Sequence, residues 1–276
     1  MAVNLASKYS DKVVERFSQK SLTDNGLNKD YSWEGVKTVS VYSIPTVAMG
    51  DYSRTGANGR YGVAAELQNT IQNLTLSKDR GFTFIIDKGN KTETMGVMEA
   101  GKALARQTDE VVVPEIDTYR LNAWAIATNT QTTGAAAAVD KTNAYTLLLN
   151  AQEKLDEALV PADGRLCYCT PAYYNLLKLD PNFILASDVA MEKRITGQVG
   201  EVDGVKIIKI PSTRMPLKTP FILIHPSCSC SPLKLEDYKT HNNPPGVSGD
   251  LVEGRVIYDC FVLDSKGKAI CKHMIP

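Results

Sequence analysis

Two stretches decide the fold that this sequence predicts. Arg80–Gly89 reads RGFTFIIDKG, and Ala105–Leu121 reads ARQTDEVVVPEIDTYRL. In the first, apolar side chains alternate with others, as they do along one face of a half-buried strand. In the second, Pro114 suits the first turn of a helix, because its ring fixes a helical φ and it has no N–H to leave unbonded. The two stretches therefore predict a strand followed by a helix.

The strand closes a region, from residue 36 onward, that has the pattern of a β-hairpin arm. Val39 and Val41 alternate with polar residues, and so do Leu74 and Leu76 on the returning side. Between them lies Gly50–Gly62, GDYSRTGANGRYG, whose four glycines indicate a flexible tip. A long two-stranded ribbon is marginal alone in water. We therefore expect the ribbon to pack on a neighbouring subunit, with an edge hairpin of an ordinary sheet as the alternative.

Two helices are expected after this strand. Thr92–Thr108 is the first, and the second begins at Pro114 with acidic residues in its first turn. The second helix has one apolar stripe, formed by Ile116, Tyr119, Ala123, Ile126 and Ala127. Trp124 lies off that stripe and indicates a second contact surface. The polar Thr128–Gly134, TNTQTTG, is the expected domain boundary.

The strongest helical period in the chain is at Asp140–Leu159, where Asp140 is the expected cap and the apolar stripe extends to Leu159. The elements that follow show no regular βαβ alternation and no repeats, so the sequence predicts an α+β fold. They are strands at Leu166–Cys169, Val205–Ile210 and Phe221–His225, helices at Thr170–Leu179 and Ser187–Arg194, a loop at Lys239–Asp250, and a terminal hairpin of Arg255–Leu263 with Lys268–His273.

The first 35 residues have the composition of an extended arm. Ser7–Gln19 has a short helical period, and Ser21–Tyr31, SLTDNGLNKDY, is polar and rich in turn residues. Such a segment buries too little apolar surface to offset roughly 1–2 kcal/mol of backbone entropy per residue. We expect it to be mobile or to lie on another surface.

Composition excludes several classes of protein. Apolar residues are 43% and charged residues 22% of the 276, which are ordinary globular values. The 31 basic residues balance the 31 acidic ones, which argues against a protein whose main task is to bind nucleic acid through a basic surface. No apolar run is long enough for a transmembrane helix, and no secretory signal is expected at the N-terminus.

The six cysteines include two Cys-x-Cys pairs, Cys167/Cys169 and Cys228/Cys230, which are the candidates for a zinc site. One intervening residue is poor spacing for structural zinc, and in a strand such residues share a face and pack as small apolar groups. Without a secretory signal we expect the cysteines to stay reduced. No catalytic motif surrounds the three histidines, so the sequence predicts neither enzyme activity nor a cofactor.

The candidate functional residues are instead candidates for contacts between subunits. They are Tyr52, Arg54 and Arg60 in the glycine-rich tip, and the acidic residues Glu110, Glu115 and Asp117 near the helix start. The acidic residues are expected to complement the helix dipole and to pair with an arginine of the same or a neighbouring chain. The arginines of the tip can reach across an interface.

In combination, Arg80–Gly89 and Ala105–Leu121 resemble the major capsid proteins of tailed bacteriophages, of the kind found in phages of Gram-positive bacteria. Gly197–Pro211, GQVGEVDGVKIIKIP, is similar to the glycine-rich segment of their axial domain. The resemblance covers the chain from about residue 36 to the end. It implies the Hong Kong 97-type shell fold of tailed phages, herpesviruses and encapsulins.

The resemblance also implies a domain plan. Residues 1–35 would be the N-terminal arm, 36–88 the extended loop, 89–134 with 251–276 the peripheral domain, and 135–250 the axial domain. The spine helix of the peripheral domain, from Pro114, looks short for this family. No long helical extension precedes residue 36, so a fused scaffolding domain is not expected, and no residue pair is assigned to a cross-link.

The function implied is that of a structural protein that forms pentamers and hexamers of an icosahedral shell around phage double-stranded DNA. Implied partners are other copies of the chain, a separate scaffolding protein, a portal, a maturation protease and packaged DNA, with no membrane. The implied location is the virion capsid, after assembly in the host bacterial cytoplasm. Two alternatives stay open: an encapsulin-like compartment, and a zinc-dependent enzyme that uses the Cys-x-Cys pairs.

Overall fold

The computed structural model describes residues 21–31, 38–44, 46–55, 59–62, 64, 66–93, 99–182 and 200–276. The chain divides into two compact units, Trp33–Leu76 and the remainder, Met1–Ser32 with Ser77–Pro276. Mixed helices and strands confirm the α+β class. The helices expected at Ser7–Gln19 and Ser187–Arg194 lie outside the described residues. So do residues 94–98 of the expected helix Thr92–Thr108.

The elements follow one another in chain order. The strands are β1 (Thr38–Ser43), β2 (Thr70–Thr75), β3 (Lys78–Asp87), β4 (Gln131–Thr132), β5 (Leu166–Cys169), β6 (Glu201–Val202), β7 (Val205–Lys209), β8 (Phe221–Ile224), β9 (Ser229–Cys230), β10 (Leu233–Asn242), β11 (Gly249–Tyr258), β12 (Phe261–Val262) and β13 (Ile270–Lys272). The α-helices are α1 (Lys88–Glu93), α2 (Ala100–Gln107), α3 (Val113–Ile126), α4 (Ala144–Glu157) and α5 (Pro171–Leu179).

The smaller unit is a β-hairpin. β1 and β2 pair antiparallel from Thr38↔Thr75 to Ser43↔Thr70. The hydroxyls of Thr38 and Thr75 lie 2.9 Å apart, and Ser40 donates to the side-chain oxygen of Asn73 at 2.7 Å. This register confirms the predicted ribbon and leaves the glycine-rich stretch at its far end.

The third predicted strand, β3, belongs to the larger unit. β3 pairs antiparallel with β11 along its whole length, and β11 pairs with β10, which gives a three-stranded sheet in the order β10-β11-β3. One face of this sheet carries Ile86 and Val252, which pack on Ala100 of α2. The expected extended loop of 36–88 therefore contains a strand that is part of this sheet.

A six-stranded sheet, in the order β4-β13-β8-β5-β7-β6, forms the second half of the larger unit. The side chains of β5 alternate between its faces. Cys167 and Cys169 join the core under α4 and α5, whereas Leu166 and Tyr168 join the core that contains Trp124 of α3. The predicted sharing of one face by the two cysteines is confirmed, because successive side chains of a strand point to opposite faces.

The predicted elements around this sheet are largely confirmed. The buried stripe of α4 consists of Ala144, Leu148, Ala151 and Leu155. α5 begins after Thr170, whose hydroxyl accepts from the N–H of Tyr173 at 3.3 Å, a side-chain N-cap. The expected end of the α4 stripe is wrong, however, because Leu159 lies beyond the helix and is exposed.

The helix expected to begin at Pro114 begins earlier. α2 continues through a wider π-helical turn, Thr108–Val112, into α3, which gives one helical stretch from Ala100 to Ile126. The N–H of Val113 reaches back to the carbonyl of Thr108, five residues earlier. The wide turn lies where Pro114 would otherwise clash with the carbonyl four residues before it. At a rise of about 1.5 Å per residue the stretch is about 40 Å long, so the expectation of a short spine helix is wrong.

The faces of this long helix also differ from the expected stripe. Trp124, expected off the stripe, is fully buried against Tyr168, with ring centroids 5.3 Å apart. Ile126, expected on the stripe, is exposed. The helix packs on the three-stranded sheet as far as Tyr119 and on the six-stranded sheet from Leu121 onward, so the buried face rotates along its length.

Two expectations for the C-terminal part of the chain are wrong. Lys239–Asp250, expected to be a loop, is strand at both ends, and the loop is only the six-residue turn 243–248 that joins β10 to β11. The expected terminal hairpin does not form. β12 pairs with β9, and β13 pairs with β8 and β4, because these partners bury the apolar side chains of Ile270 and Cys271 completely.

The segment from Ser21 to Asn28 is fixed to its own chain. The N–H of Asn28 donates to the carbonyl of Ser229 at 2.7 Å, and the hydroxyl of Ser229 donates to the carbonyl of Gly26 at 3.1 Å. Leu22 and Leu27 pack on the core that contains Trp124. Of the two alternatives expected for the arm, this described part takes the second, because it lies on another surface, which belongs to its own chain. Within the described helices, none is long and apolar enough to cross a membrane.

Gly26 gives a direct test of this packing. A Cβ there would lie 2.7 Å from the hydroxyl of Tyr168 and 2.9 Å from the ring of Trp124. We expect Gly26→Ala to lower the free energy of unfolding by about 1–3 kcal/mol, as overpacked cores do. Gly101→Ala is the matched control, because nothing lies within 4 Å of its added Cβ and it is helical. Chemical denaturation should show the control unchanged or stabilised by about 0.5–1 kcal/mol. Equal stability of the two variants would contradict the packing described.

Candidate subunit-interface site

The hairpin unit exposes a concentration of large apolar side chains. Among the described residues they are Tyr42, Ile44, Val47, Met49, Tyr52, Tyr61, Leu67 and Ile71. Met49 is fully exposed, at 100% of its surface. Contiguous exposed apolar surface on a protein marks a place of interaction. Tyr42 and Ile71 face each other across the strand pair and form one exposed apolar pair of the ribbon.

The open face of the ribbon is the one opposite Leu74 and Leu76. Leu74 and Leu76, on the face that the apolar alternation marked, are only 2% and 3% exposed. The opposite face is exposed, and it consists of Thr38, Ser40, Tyr42, Ile71, Asn73 and Thr75. A mainly polar ribbon face with one apolar pair, Tyr42 and Ile71, is therefore the part available to another molecule.

The tip holds three of the predicted interface residues close together. The N–H of Ser53 donates to the carbonyl of Arg60 at 3.0 Å, which brings the two sides of the tip into register. The rings of Tyr52 and Tyr61 then meet edge to face, with centroids 4.9 Å apart. Arg54 and Arg60 are exposed and form no ion pair with any residue that the structure describes. Two cations beside two aromatic rings are thus presented to solvent.

All three predicted acidic residues pair with an arginine of their own chain, and two of these pairs, those of Glu110 and Glu115, are partly exposed. Glu110 accepts from Nε of Arg106 at 2.9 Å, one helical turn away. Glu115 accepts from Nε of Arg80 at 2.8 Å and from the hydroxyl of Tyr258 at 3.0 Å. Burial and the hydrogen bond to Glu115 raise the pKa of Tyr258, so its hydroxyl stays a donor. Glu115 keeps 40% of its side-chain surface exposed, on the wall of an open cleft of about 660 Å³.

Asp117 has a different environment, because its side chain is only 1% exposed. Its carboxylate accepts from the hydroxyls of Ser21 and Thr23 at 2.8 and 2.6 Å and from the N–H of Leu22 at 3.1 Å. Arg214 donates to the same carboxylate at 3.1 Å. The structure therefore assigns Asp117 to the interior of its own chain, where it fixes the segment that begins at Ser21.

Arg120, one turn further along α3, completes this arrangement. Its guanidinium donates to Asp24 at 2.5 Å, to the hydroxyl of Thr23 at 3.0 Å and to that of Ser231 at 2.9 Å. Asp117 and Arg120 together, which we call the helix clamp, join the long helix to the N-terminal segment and to two later loops. The sequence showed the acid but not its partners, because they come from distant parts of the chain.

The six cysteines are buried and unbridged. Burial raises the pKa of Cys169, Cys228, Cys230 and Cys271 to about 12, and it also raises the pKa of Cys167 and Cys260 well above the usual value for a thiol. Metal binding needs the thiolate, which burial disfavours here. Across the residues that the structure describes, no three His, Cys, Asp or Glu side chains are grouped to hold a metal ion. The cysteines therefore act as small apolar groups of the two cores.

Comparisons with known proteins were made on sequence and on structure. No family model and no curated protein matches the sequence. By structure, the chain is similar to a solved structure from Mycobacterium phage Che8, with a TM-score of 0.75 and 19% identity over 97% of this chain and 96% of that one. The capsid structure of Cyanophage P-SCSP1u gives a TM-score of 0.76 and 13% identity over 98% and 93% of the two chains.

A third similar structure, the mature capsid asymmetric unit of bacteriophage PhiM1, gives a TM-score of 0.74 and 11% identity over 98% of this chain and 91% of that one. The chain has the phage capsid fold. This confirms the fold class that the resemblance implied. The structure describes these parts of the fold: the hairpin unit, the long helix, the three-stranded sheet and the six-stranded sheet. The expected domain limits at residues 35, 88, 134 and 250 stay predictions.

The helix clamp can be tested by removing its charge. Asp117→Asn keeps the shape of the side chain but leaves Arg214 and Arg120 beside a neutral amide. One carboxylate oxygen is replaced by an NH2 group, which donates where the oxygen accepted. We expect a loss of stability on the order of 3–5 kcal/mol, as for other broken buried pairs. The substitution should increase the rate of hydrogen exchange at the amide of Leu22 more than the rate at core amides.

Asp109→Asn is the matched control for this variant. Asp109 is an exposed acid on the same helical stretch and has no ion pair among the residues described. Its substitution should leave stability within about 0.5 kcal/mol of the wild type. If both variants unfolded at the same denaturant concentration, Asp117 would not hold the N-terminal segment.

Proposed function

We propose that this chain is a major capsid protein, a structural subunit that assembles with copies of itself into the shell of a phage virion. The observation that carries the proposal is the hairpin unit, with its exposed apolar side chains and with two tip arginines that have no ion pair among the described residues. Support comes also from the phage capsid fold, which matches solved capsid structures over nearly their whole length.

The hairpin needs a partner for physical reasons. Two strands joined only to each other bury little apolar surface and are marginal in water. Burying apolar area contributes roughly 25 cal/mol per Å², so the eight exposed side chains represent a large gain that becomes available on association. A second copy of the chain is the simplest partner, since a zero net charge opposes self-association weakly.

The tip arginines suggest how copies would be oriented. Of the three predicted acids, Glu115 has the most exposed carboxylate, and it lies on the wall of an open cleft. Glu110 is mostly covered and Asp117 is buried. We therefore assign Glu115 as the acid that Arg54 or Arg60 of a neighbouring copy approaches, as an addition to its own pair with Arg80. The ring of Tyr52 would lie beside this ion pair.

The remaining partners follow from this function. Pentamers and hexamers that close into an icosahedral shell would need other proteins to set its size, to form the portal and to mature it. Packaged double-stranded DNA would meet the inner face without sequence specificity, which suits a chain with no excess of basic residues. Assembly would take place in the cytoplasm of the bacterial host. The protein would be structural and not an enzyme.

Charge reversal at the tip tests the proposal. Exposed ion pairs contribute about 0.2–1 kcal/mol each, which is roughly 1.4- to 5-fold in each contact. A shell repeats one contact at every subunit, so a small loss raises the protein concentration at which shells form. We expect Arg54→Glu and Arg60→Glu to raise that concentration, measured by light scattering, while the melting temperature of the monomer stays unchanged.

Lys29→Glu is the matched control, because Lys29 is exposed and lies outside the hairpin unit. It should assemble as the wild type does. The double variant Arg60→Glu/Glu115→Lys should recover part of the loss that Arg60→Glu causes. The tip would not be an assembly contact if the arginine variants had a lower melting temperature as monomers. The same would follow if Arg54→Glu, Arg60→Glu and Lys29→Glu all assembled at the same concentration.

A further inference from the structure

Helix α4 ends in a turn that normally requires glycine. The N–H of Val160 donates to the carbonyl of Leu155 at 3.0 Å, and the N–H of Leu159 donates to that of Asp156 at 2.9 Å. These two bonds define a Schellman motif with Leu159 at the residue just past the helix. Leu159 has φ +56°, the left-handed conformation that a residue with a branched apolar side chain rarely adopts.

Leu159 gains nothing from this position in its own chain. Its side chain is 92% exposed, so it adds apolar surface to solvent as well as backbone strain. Glycine at the same position would remove both costs. Strained residues persist where the surrounding structure or a function requires them, and the inference runs from the observed strain to a role. A leucine presented in this way is suited to enter an apolar site on another molecule.

An apolar groove of about 810 Å³ lies elsewhere in the same unit. Its apolar lining includes Val139, Ala172, Leu176, Met215 and Leu217. Leu217 is itself 88% exposed, and the next residue, Lys218, has φ +58°. The groove therefore has an apolar floor, an outward leucine at its edge and one cation at its mouth.

The groove and Leu159 lie at opposite ends of α4. Tyr173, which lines the groove, donates its hydroxyl to the carbonyl of Ala144 at the first turn of the helix, at 2.9 Å. Leu159 follows the last turn. The 14 residues of α4 span about 21 Å at about 1.5 Å per residue. Leu159 therefore cannot fill the groove of its own chain, whereas the Leu159 of a second copy can.

Charges around the two sites are complementary. Glu157 and Asp163 flank Leu159 in the sequence and are exposed, and Lys218 is exposed at the mouth of the groove. Over the described part of the chain, none of these three side chains has an ion pair. An acidic rim around the leucine would thus meet a cation at the groove, which favours this partner over an unrelated apolar segment.

We propose that Leu159 of one copy inserts into the apolar groove of the next, in a head-to-tail contact between identical chains. The two surfaces differ, so the contact is heterologous, and it forms a ring when its rotation closes. The inference rests on the proposed self-assembly and adds a second contact to it, separate from the hairpin unit. The occupant of the groove is a second copy of this chain.

Leu159→Gly separates an interface role from a structural one, because the two roles change the variant in opposite directions. Removing the strain should raise the melting temperature of the monomer, whereas losing the buried leucine should weaken association roughly tenfold or more in sedimentation velocity. Asn243→Gly is the matched control. It relieves a left-handed residue, φ +48°, in the turn between β10 and β11 and should leave association unchanged.

A cross-link tests the pairing of the two surfaces directly. With Leu159→Cys and Ala172→Cys in one chain, we expect a disulfide only between copies. Leu159 follows the last turn of α4, whereas Ala172 is next to Tyr173, which contacts the first turn at the other end of this helix of about 21 Å, and a disulfide needs Cα atoms within about 7 Å. Treatment with diamide should give a ladder of dimers, trimers and larger species on a non-reducing gel. The native cysteines are buried, so the wild type should remain a single band.

The outcomes distinguish this inference from the proposed function. If Leu159→Gly associated as the wild type does, and the double-cysteine chain gave no ladder while the wild type still formed oligomers, the head-to-tail contact would be wrong and self-assembly would stand. If the wild type did not associate at any concentration and no ladder formed, the proposed self-assembly would fail as well.

Discussion

The packing of one continuous helix against both sheets is the constraint on which the rest of the larger unit depends. The stretch from Ala100 to Ile126 packs on the three-stranded sheet as far as Tyr119 and on the six-stranded sheet from Leu121 onward. The helix clamp of Asp117 and Arg120 lies at this changeover and joins the helix to the segment that begins at Ser21. Because a buried carboxylate is stable only with its full set of donors, the helix, this segment and Arg214 must take up their positions together.

The sequence predicted well those elements whose signals are local. The bounds of α5, β5, β7 and β8 lie within one or two residues of expectation, and the apolar period of α4 is confirmed, although α4 begins at Ala144 with Asn143 and not Asp140 at its N-cap. It failed where distant partners decide. A π-helical turn lets the helix pass Pro114, and β10 is a strand because β11 pairs with it, although its own residues are mostly polar. The N-terminal segment is ordered by Asp117, 94 to 96 residues away.

In the candidate site, too, the sequence predicted the features with local signals and missed those that distant residues decide. The exposure of Arg54, Arg60 and Tyr52 followed from the glycine-rich tip, because such a tip has few apolar residues to bury it. The partners of the acids did not follow, since charge alone cannot distinguish the pair Glu115–Arg80 within the chain from a pair between chains. Leu159 was missed because it continues the apolar stripe of α4 in sequence. The chain leaves the helix at that residue, so its side chain points to solvent and not to the core.

The proposed function gives the capsid fold, the exposed hairpin unit and the strained leucine one explanation, which is that the hairpin unit and Leu159 contact other copies of the chain. The most direct test is electron microscopy of the purified wild-type protein across a range of concentrations. The account predicts closed shells or rings of subunits that become more abundant as concentration rises. Single particles of about 30.2 kDa at every concentration, with no ring or shell, would contradict it.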